Sequence, residues 1–417
     1  MYKKKEETKP VKIQASAFTL EDHKKQLTAW IEAEHIPGKF QAWYTAPADP
    51  MHSDWRIKSV YKGQHELLEV EVPVRKMDVP EIVPMIFQQL RKEHLRAFRK
   101  SIRQIWLRAT GDGRFAMLVQ ANLRGRNSAH ESKTFTDFVQ RSIPEILSLH
   151  FIQCKPDHLF DPATAQTVST EAKCVFGKDF MPIADTGFAM HVLDWAPRVK
   201  DAWIGLPKRI ADAIHPTKGD RLLEFYSASS YVGASLASMF DSVDCLDCRE
   251  TAMLSSKYNA RALVENNMRF HRQKLDANFF AKFFRKPENE GRWTFYFNLP
   301  GDEPLATGVV QTAAASRPER ILLQTSNLEV AAKEIRKFRN EGYMLRKSVP
   351  LYLEPGSAKF EVLFIFVPDR NGLLGRNPAI LARSKNVQRP KERIERAKKG
   401  NIPHFVQKDA AFRSRKD

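Results

Sequence analysis

The sequence predicts two structured parts, an α+β domain followed by a doubly wound α/β domain in the C-terminal half. Helices alternate with paired strands over residues 17–185, whereas from Lys218 onward a strand, a turn and a helix follow one another repeatedly. With 42% hydrophobic residues in 417, the chain can supply more than one core. The expected organisation is a polar leader (1–16), the α+β domain (17–185), the α/β domain (186–370) and a basic tail (371–417).

The first domain opens with a helix. Thr19 is a suitable N-cap, and apolar residues at helical spacing continue to Glu34. Further elements are assigned from apolar periodicity and turn residues. They are strands at 54–61 and 66–72 joined at Lys62-Gly63, a long basic helix at 80–100, a hairpin at 102–110 and 114–123, and a helix at 134–150.

The second domain follows a strand–helix alternation. Strands are predicted at 221–226, 242–246, 293–297, 320–324 and 359–367, and helices at 231–240, 250–266 and 329–341. In such a domain, ligands bind at the carboxyl ends of the parallel strands. Residues just after these strands are therefore the first candidates for a site.

The charge balance favours a polyanionic partner. The chain has 67 Lys and Arg against 49 Asp and Glu, a formal charge of +18, so nucleic acid is the leading partner through phosphate neutralisation. The alternatives are a basic but otherwise ordinary enzyme and a charge that serves solubility. The candidate RNA-binding residues are grouped in the first domain: Arg91, Lys92, Arg96, Arg99, Lys100, Arg103, Arg124 and Arg126. From Leu381 onward, the chain contains twelve basic residues and only four acidic ones. A solvated helix face is the alternative interpretation for any single residue.

Membrane and disulfide-dependent classes are disfavoured. No apolar stretch approaches the length of a membrane span, and the N-terminus lacks a signal-peptide core, so a cytoplasmic protein is expected. Four cysteines are too few to cross-link a chain of this length, and free thiols are predicted. Cys245 and Cys248 have the spacing of some zinc and redox sites, but strand alternation sends them to opposite faces. No metal site is predicted.

Two features after the first strands indicate a nucleotide-type ligand. The first strand of the α/β domain ends in the small-residue loop Tyr226-Ser-Ala-Ser-Ser, and the second ends in Asp247, about two dozen residues later. In nucleotide-binding α/β folds, such a loop lets the ligand approach backbone amides and the acid accepts hydrogen bonds from ribose. This loop has no glycine before Gly233.

Five segments resemble the tRNA uracil-5 methyltransferase family of RNA 5-methyluridine methyltransferases. They are Gly219-Asp-Arg-Leu-Leu-Glu-Phe-Tyr-Ser-Ala-Ser-Ser, Asp241-Ser-Val-Asp-Cys-Leu-Asp, Ser255-Ser-Lys-Tyr-Asn-Ala, Arg320-Ile-Leu-Leu-Gln-Thr-Ser-Asn-Leu-Glu and Pro355-Gly-Ser-Ala-Lys-Phe-Glu-Val. The resemblance covers roughly residues 175–367. It implies a Rossmann-like class I methyltransferase domain, S-adenosylmethionine as the possible cofactor, and tRNA or rRNA as the partner.

The resemblance also implies roles for individual residues. In the family, a cysteine adds to C6 of uridine, C5 takes the methyl group, and a glutamate removes the C5 proton. Ser326 stands at the cysteine position, Glu361 at the base position, and Asn298 replaces the aspartate of the Asp-Pro-Pro-Arg motif. The implied cofactor-binding residues are Glu224, Tyr226, Ser227, Ala228, Ser230 and Asp247.

Several positions depart from the family pattern. Besides Ser326 and Asn298, Gly301 replaces the motif's arginine, Pro182 a glutamine, and Ala228-Ser-Ser230 the Gly-x-Gly of the cofactor loop. Three interpretations stay open: an RNA-binding protein that has lost or reduced methyl transfer, an active RNA methyltransferase with altered chemistry, and an assembly factor that binds protein. The sequence leaves the oligomeric state open.

Overall fold

The computed structural model describes most of the chain between Ile13 and Arg370. The described residues are 13–14, 18–37, 39–62, 65–71, 73, 77–153, 159–161, 172–263, 266–300, 303–355 and 358–370. The predicted leader, apart from two residues, and the basic tail lie outside this part of the chain, as do Gly301 and Cys154. None of the described helices is both long enough and apolar enough to cross a membrane.

The elements before residue 177 include thirteen helices and strands among the described residues. In chain order they are β1 (Ile13–Gln14), α1 (Leu20–Glu34), β2 (Lys39–Phe40), β3 (Tyr44–Thr45), β4 (Trp55–Lys62), β5 (His65–Glu71), α2 (Ile82–Leu90), α3 (Arg96–Ser101), β6 (Ile102–Ala109), β7 (Phe115–Ala121), α4 (Arg126–Ser142), β8 (Ile146–Ile152) and β9 (Ala172–Phe176).

These elements build a mixed seven-stranded sheet in the order β1-β5-β4-β6-β7-β8-β9. One face packs against α2, α3 and α4 through a core that contains Phe98, Phe135 and Met117. The other face contributes Trp106 and Leu118 to a second core that continues into the C-terminal half. The first sheet is therefore covered on both faces.

The later elements begin with a short hairpin. They are β10 (Phe180–Pro182), β11 (Ala189–His191), α5 (Lys200–Ile214), β12 (Asp220–Phe225), α6 (Tyr231–Leu236), β13 (Ser242–Asp247), α7 (Glu250–Arg261), β14 (Met268–Arg272), α8 (Ala277–Phe283), β15 (Arg292–Asn298), α9 (Val309–Ala315), β16 (Arg320–Thr325), α10 (Leu328–Asn340), β17 (Tyr343–Tyr352) and β18 (Glu361–Pro368).

The second sheet has the order β14-β13-β12-β15-β16-β18-β17-β2. Neighbouring strands from β14 to β16 are parallel, and β18 runs antiparallel to both β16 and β17. The strand order reverses between β12 and β15, and in a doubly wound sheet such a switch point opens a crevice at the carboxyl ends. The predicted α/β fold class is confirmed.

The N-terminal segment packs against the second sheet rather than the first. Thr19 caps α1 in a capping box, as its sequence predicts. Trp30 of α1 lies against Phe364 of β18, and His23 lies against Phe360. β2 and β3 both pair with β17. The predicted segment 17–185 is thus divided in space, since its first 29 or so residues extend the second sheet.

The predicted bounds of two helices in the first half were wrong. The basic helix at 80–100 is interrupted after Leu90, because Lys92 adopts an extended conformation (ψ 137°) and a short 3-10 turn follows before α3. The helix at 134–150 is displaced: α4 ends at Ser142, and residues from Ile146 form β8. Pro144 explains the second error, since proline disfavours a helical conformation at the residue before it.

The two sheets are joined by a buried polar network. Arg108 of β6 donates to the carbonyl oxygens of Val192 (2.5 Å) and Asp194 (2.7 Å). Asp54 accepts from the Ala109 N–H (2.7 Å) and pairs with Lys200 of α5 (2.9 Å). Buried charges need such partners, because an unpaired one is strongly destabilising. Burial lowers the pKa of Lys200 to about 8.

Candidate functional site

The topology brings the predicted reaction and cofactor residues to one edge of the second sheet. The loop 226–230 follows β12, Asp247 ends β13 and Asn298 ends β15. Thr325 of β16 pairs with Val362 of β18, so Ser326 and Glu361 lie next to each other at the same edge. The edge flanks the switch point between β12 and β15, where a ligand would bind.

The loop after β12 has an unusual backbone. Tyr226, Ala228 and Ser230 have φ angles of 57°, 48° and 54°, in the left-handed region that glycine adopts most easily. Non-glycine residues held in this region commonly mark functional sites, because the surrounding structure must offset the strain. The loop thus keeps a glycine-type conformation in a sequence without glycine.

Contacts from α7 hold this loop closed. Ser227, Ala228, Ser229 and Ser230 are buried. The Asn259 side-chain amide donates to the Ser229 carbonyl oxygen (2.9 Å), and the hydroxyls of Ser230 and Ser256 lie 2.6 Å apart. The predicted loop residues are brought together. The Ser229 carbonyl oxygen and the Ser230 hydroxyl bond to α7, whereas the buried Ser227 hydroxyl has no hydrogen-bond partner among the described residues.

Asp247 is occupied by Arg249. One carboxylate oxygen accepts from the Ala228 N–H (3.0 Å) and the Arg249 Nη2 (3.0 Å). The other accepts from the Arg249 N–H (2.9 Å) and Nε (3.1 Å). These four hydrogen bonds fill the acceptor capacity of a carboxylate, and Asp247 is only 4% exposed. The residue predicted to bind ribose therefore has no acceptor left for hydroxyls.

Glu224 lies beneath the loop rather than at the strand end. Its carboxylate accepts from the Gly233 N–H (3.1 Å) and from the Cys245 thiol (3.5 Å). A Cβ atom at Gly233 would approach Glu224 Oε2 to 2.5 Å, so glycine is required there. Burial raises the pKa of Glu224 to about 8. Burial likewise raises the pKa of the half-buried Tyr226 to about 12.

Three hydrogen-bonded polar side chains, those of Tyr296, Gln324 and Glu361, connect β15, β16 and β18 near the switch-point edge. The Tyr296 hydroxyl donates to Gln324 Oε1 (2.6 Å), and the Gln324 amide donates to the Glu361 carboxylate. Burial raises the pKa of Glu361 to about 7, although the hydrogen bond from Gln324 opposes this shift. Glu361 is thus near half-protonation at neutral pH, as a general base requires.

Ser326 lies beside Glu361 but makes no hydrogen bond to it. The residue is half-buried, and its neighbours Thr325 and Asn327 are engaged in capping α10. No hydrogen bond joins its hydroxyl to another residue of the described chain. A serine hydroxyl needs an adjacent base to act as a nucleophile, so the geometry does not activate Ser326. Asn298 is buried at the end of β15, on the same edge.

Several residues of this site were missed by sequence reasoning. Arg249, Asn259, Ser256, Tyr296 and Gln324 make the contacts that decide what the edge can bind. A signal existed for Arg249, since a guanidinium two residues after a strand-end carboxylate can fold back onto it. Cys245 and Cys248 do lie in different environments, because Cys245 is buried in β13 and Cys248 is exposed after it.

The predicted RNA-binding residues lie together at one end of the first sheet. Asn122, after β7, bonds to Ser101 at the end of α3, which brings the loop before α4 beside α3. Six of the eight residues are exposed: Arg91, Lys92, Arg96, Lys100, Arg124 and Arg126. Arg99 and Arg103 are half-buried, and Arg99 donates to the Leu90 carbonyl oxygen (3.0 Å). The six exposed residues are called the basic surface below.

Comparisons with known proteins agree with the resemblance. No protein-family model matches the chain. An uncharacterized RNA methyltransferase of Lactococcus lactis is 22% identical over 325 residues, which cover 73% of this chain and 66% of that protein. The chain thus spans slightly under two thirds of its curated relative. The resemblance to RNA methyltransferases drawn from the sequence is confirmed.

A solved structure shows the same fold. The tRNA (uracil-54, C5)-methyltransferase of Pyrococcus abyssi, determined in complex with S-adenosyl-L-homocysteine, superposes with a TM-score of 0.58 at 14% identity. The alignment covers 84% of this chain and 82% of that one. The similarity extends over both sheets, so the first half, where sequence similarity is faint, shares the architecture.

Proposed function

We propose that this chain is an RNA-binding protein built on the fold of S-adenosylmethionine-dependent RNA methyltransferases, and that methyl transfer to uridine C5 has been lost. The proposal combines two observations. The basic surface suits a phosphate backbone, and the switch-point edge lacks groups that the reaction needs. We further propose tRNA or rRNA as the partner and the cytoplasm as the location.

The arrangement of Asp247 carries the proposal. S-adenosylmethionine is the possible cofactor of this fold, as the ligand of the Pyrococcus enzyme indicates. The residues present do not fit it in the observed arrangement. Arg249 and two backbone N–H groups saturate Asp247, and the side chains of α7 bond to the loop that would approach the ligand. A ribose would have to displace the Arg249 guanidinium from a buried carboxylate.

The residues at the predicted catalytic positions independently support the proposed loss of methyl transfer. A serine hydroxyl is far less ionised near neutrality than a cysteine thiol, and no hydrogen bond joins the Ser326 hydroxyl to Glu361 or to another base among the described residues. Asn298 carries an amide where the family has a carboxylate. Losing several members of a catalytic constellation abolishes its contribution, because positioned groups act together.

A groove beside the basic surface supports RNA binding. It lies between α4 and the strands β8 and β9, has a volume of about 810 Å³, and is lined by Lys133, Lys173 and Phe151 among others. Leu123, one residue before Arg124, is also among its lining residues. The two lysines suit the phosphate groups of a nucleic acid, whereas Phe151, 8% exposed, belongs largely to the core.

One observation favours the alternative of an active methyltransferase with altered chemistry. Glu361 is retained, and burial raises its pKa to about 7, so it could still remove a proton. Glu361 alone cannot supply the nucleophile. No contact among the described residues specifically supports the alternative of a protein-binding assembly factor.

The proposal is tested with RNA that contains 5-fluorouridine, because fluorine at C5 traps the covalent adduct after methyl transfer. Wild-type protein incubated with this RNA and S-adenosylmethionine should retain RNA on a filter at low salt but form no adduct that survives denaturing electrophoresis. Ser326→Cys should also form none, since Asn298 and the occupied Asp247 remain. Ser326→Ala serves as the matched control.

A covalent RNA adduct in the wild type that disappears in Ser326→Ala would overturn the proposed loss of methyl transfer. RNA retention that does not decrease between low and high salt would instead contradict the RNA-binding part, because phosphate contacts release counterions.

A further inference from the structure

Three side chains with metal-binding atoms meet beside strands β8 and β9 of the first sheet. The switch-point edge, by contrast, belongs to the second sheet. His150 of β8 pairs directly with Cys174 of β9 in the antiparallel register. Asp179 lies five residues after Cys174, and its Oδ1 is 3.6 Å from His150 Nδ1. One ligand atom from each residue lies within 4.8 Å of the others. An imidazole, a thiol and a carboxylate therefore converge on one point.

His150 is unusual because it is fully buried and poorly hydrogen-bonded. Its side chain is 0% exposed, and beyond a weak contact with the Lys178 backbone neither ring nitrogen has a hydrogen-bond partner of good geometry. Buried polar groups are nearly always satisfied, so each exception requires an explanation. A ring nitrogen of a neutral imidazole carries a lone pair that can coordinate a metal ion.

The backbone around the cluster is fixed. Gly177 has a φ of 84°, and a Cβ atom there would lie 2.3 Å from the Leu147 carbonyl oxygen, so only glycine permits the turn that returns Asp179 to β8. The Val192 N–H donates to the Asp179 carbonyl oxygen (2.9 Å). The position of Asp179 beside His150 is therefore imposed by the fold on both sides.

We propose that His150, Cys174 and Asp179 bind a zinc ion. Zinc is the metal that this mixture of nitrogen, sulfur and oxygen ligands favours, and its tetrahedral sites place ligand atoms roughly 3.3–3.8 Å apart. The His150–Asp179 distance is already in this range, and the Cys174 thiol lies within 4.8 Å of the other two ligand atoms, so it needs a shift of at most about 1.5 Å. A water molecule completes the tetrahedron on the side of Asp179, which is 53% exposed.

Zinc binding changes little besides the thiol. Cys174 now donates weakly to the Phe176 carbonyl oxygen (3.4 Å); on binding, its proton passes to solvent and the thiolate becomes the ligand. The ion joins the β8–β9 pair to the segment that leads into β10. Its role is structural, and it does not depend on the proposed function.

The experiment uses the full chain, purified without chelator and dialysed, and measures zinc by mass spectrometry. Wild-type protein should hold about one equivalent, whereas Cys174→Ser and His150→Gln should bind at least about tenfold more weakly in a competition with a chromogenic chelator. Cys248→Ser is the matched control, because Cys248 is exposed and lies after β13, at the second sheet. Cobalt substituted for zinc should give thiolate charge-transfer absorption in the wild type and not in Cys174→Ser.

Thermal unfolding with and without added zinc keeps the test valid if a variant folds poorly. Zinc should raise the melting temperature of the wild type and of Cys248→Ser but not of Cys174→Ser. Equal zinc affinity in the wild type and Cys174→Ser, or cobalt spectra without a thiolate band, would overturn the proposal.

Discussion

Arg249 and Asp247 form an ion pair inside the site that the fold prepares for a ligand. Arg249 is largely buried and donates three hydrogen bonds to the carboxylate, two from the side chain and one from the backbone. Because the pair is buried, removing Arg249 would leave the Asp247 carboxylate without its charged partner, which lowers stability. The carboxylate oxygens would then be available to a ligand. If S-adenosylmethionine binds at this edge, it competes with this ion pair as proposed.

Arg249→Ala is therefore expected to gain affinity for S-adenosylmethionine. By isothermal titration calorimetry, the wild type should show at least about tenfold weaker binding than Arg249→Ala, since ribose competes with a guanidinium only in the wild type. Adding Asp247→Ala to Arg249→Ala should remove the gain, whereas adding Ser229→Ala should leave it. Tight binding by the wild type that Arg249→Ala does not change would remove this ion pair from the site.

Glu224 makes stability depend on pH. Its pKa is raised by burial to about 8 in the folded protein, above the ordinary glutamate value that it recovers on unfolding. Between these two values the folded state binds more protons than the unfolded state, so the free energy of unfolding falls as pH rises. The stabilisation is fully present below about pH 4 and is lost as pH rises through about 8.

Glu224→Gln should remove this dependence. Chemical unfolding at pH 6 and pH 9 should show that the variant gains stability relative to the wild type as pH rises, by about 1.4 kcal/mol for each pH unit within the window. Glu303→Gln, an exposed control, should follow the wild type. A constant difference between wild type and Glu224→Gln would contradict a protonated Glu224.

At the scale of elements, α3 and the loop before α4 carry the basic surface because they lie side by side. Arg96 and Lys100 are on α3, and Arg124 and Arg126 are in or next to the loop. The predicted single helix at 80–100 would have spread these charges along one axis. The break after Leu90 instead packs α2 into the core and leaves α3 beside α4.

Charge reversal of this surface should weaken RNA binding. The double variant Lys100→Glu and Arg124→Glu should reduce affinity for structured RNA at least about tenfold at low salt and flatten its salt dependence. Removal of residues 381–417 should also weaken binding, because that segment carries twelve of the basic residues. Lys286→Glu, on the second sheet's side of the chain, is the control. Binding equal to that of the wild type in the double variant would exclude this surface.

At the scale of the whole molecule, the two sheets are coupled through buried polar groups. Arg108 bonds to the Asp194 backbone, the Asp194 carboxylate accepts from the Ser255 hydroxyl, and the neighbouring Ser256 contacts Ser230 of the switch-point loop. The first sheet is thereby connected through α7 to the edge where the ligand would bind. Relative motion of the two sheets would break these contacts.

Arg108→Met should destabilise the chain strongly. It leaves the two buried carbonyl oxygens without this donor, at a cost of about 1–3 kcal/mol for each, whereas Asp54 keeps Lys200 as its partner. Differential scanning calorimetry should show a markedly lower melting temperature. Arg114→Met, whose side chain is 47% exposed, should change stability by less than about 1 kcal/mol. Similar melting temperatures for both variants would contradict a structural role for the network.

The sequence by itself determined the features that depend on local periodicity and on composition. The capping box of Thr19 and the succession of β12, α6 and β13 follow from neighbouring residues, as does α10 with its Asn327 cap. The net positive charge and the order of the five motif segments along the chain also come from the sequence alone. These features need no knowledge of what packs against them, because capping and amphipathic patterns act within a few residues.

Only the tertiary structure decided which side chains meet. Arg249 lies on Asp247, α7 closes the loop after β12, and α1 docks on the second sheet through Trp30. His150 and Cys174 become neighbours only when β8 and β9 pair. The reason is physical: contacts between residues distant in sequence depend on strand register and sheet packing, which local patterns do not encode. The sequence therefore indicated where a site would lie, and the fold decided that its principal carboxylate is already occupied.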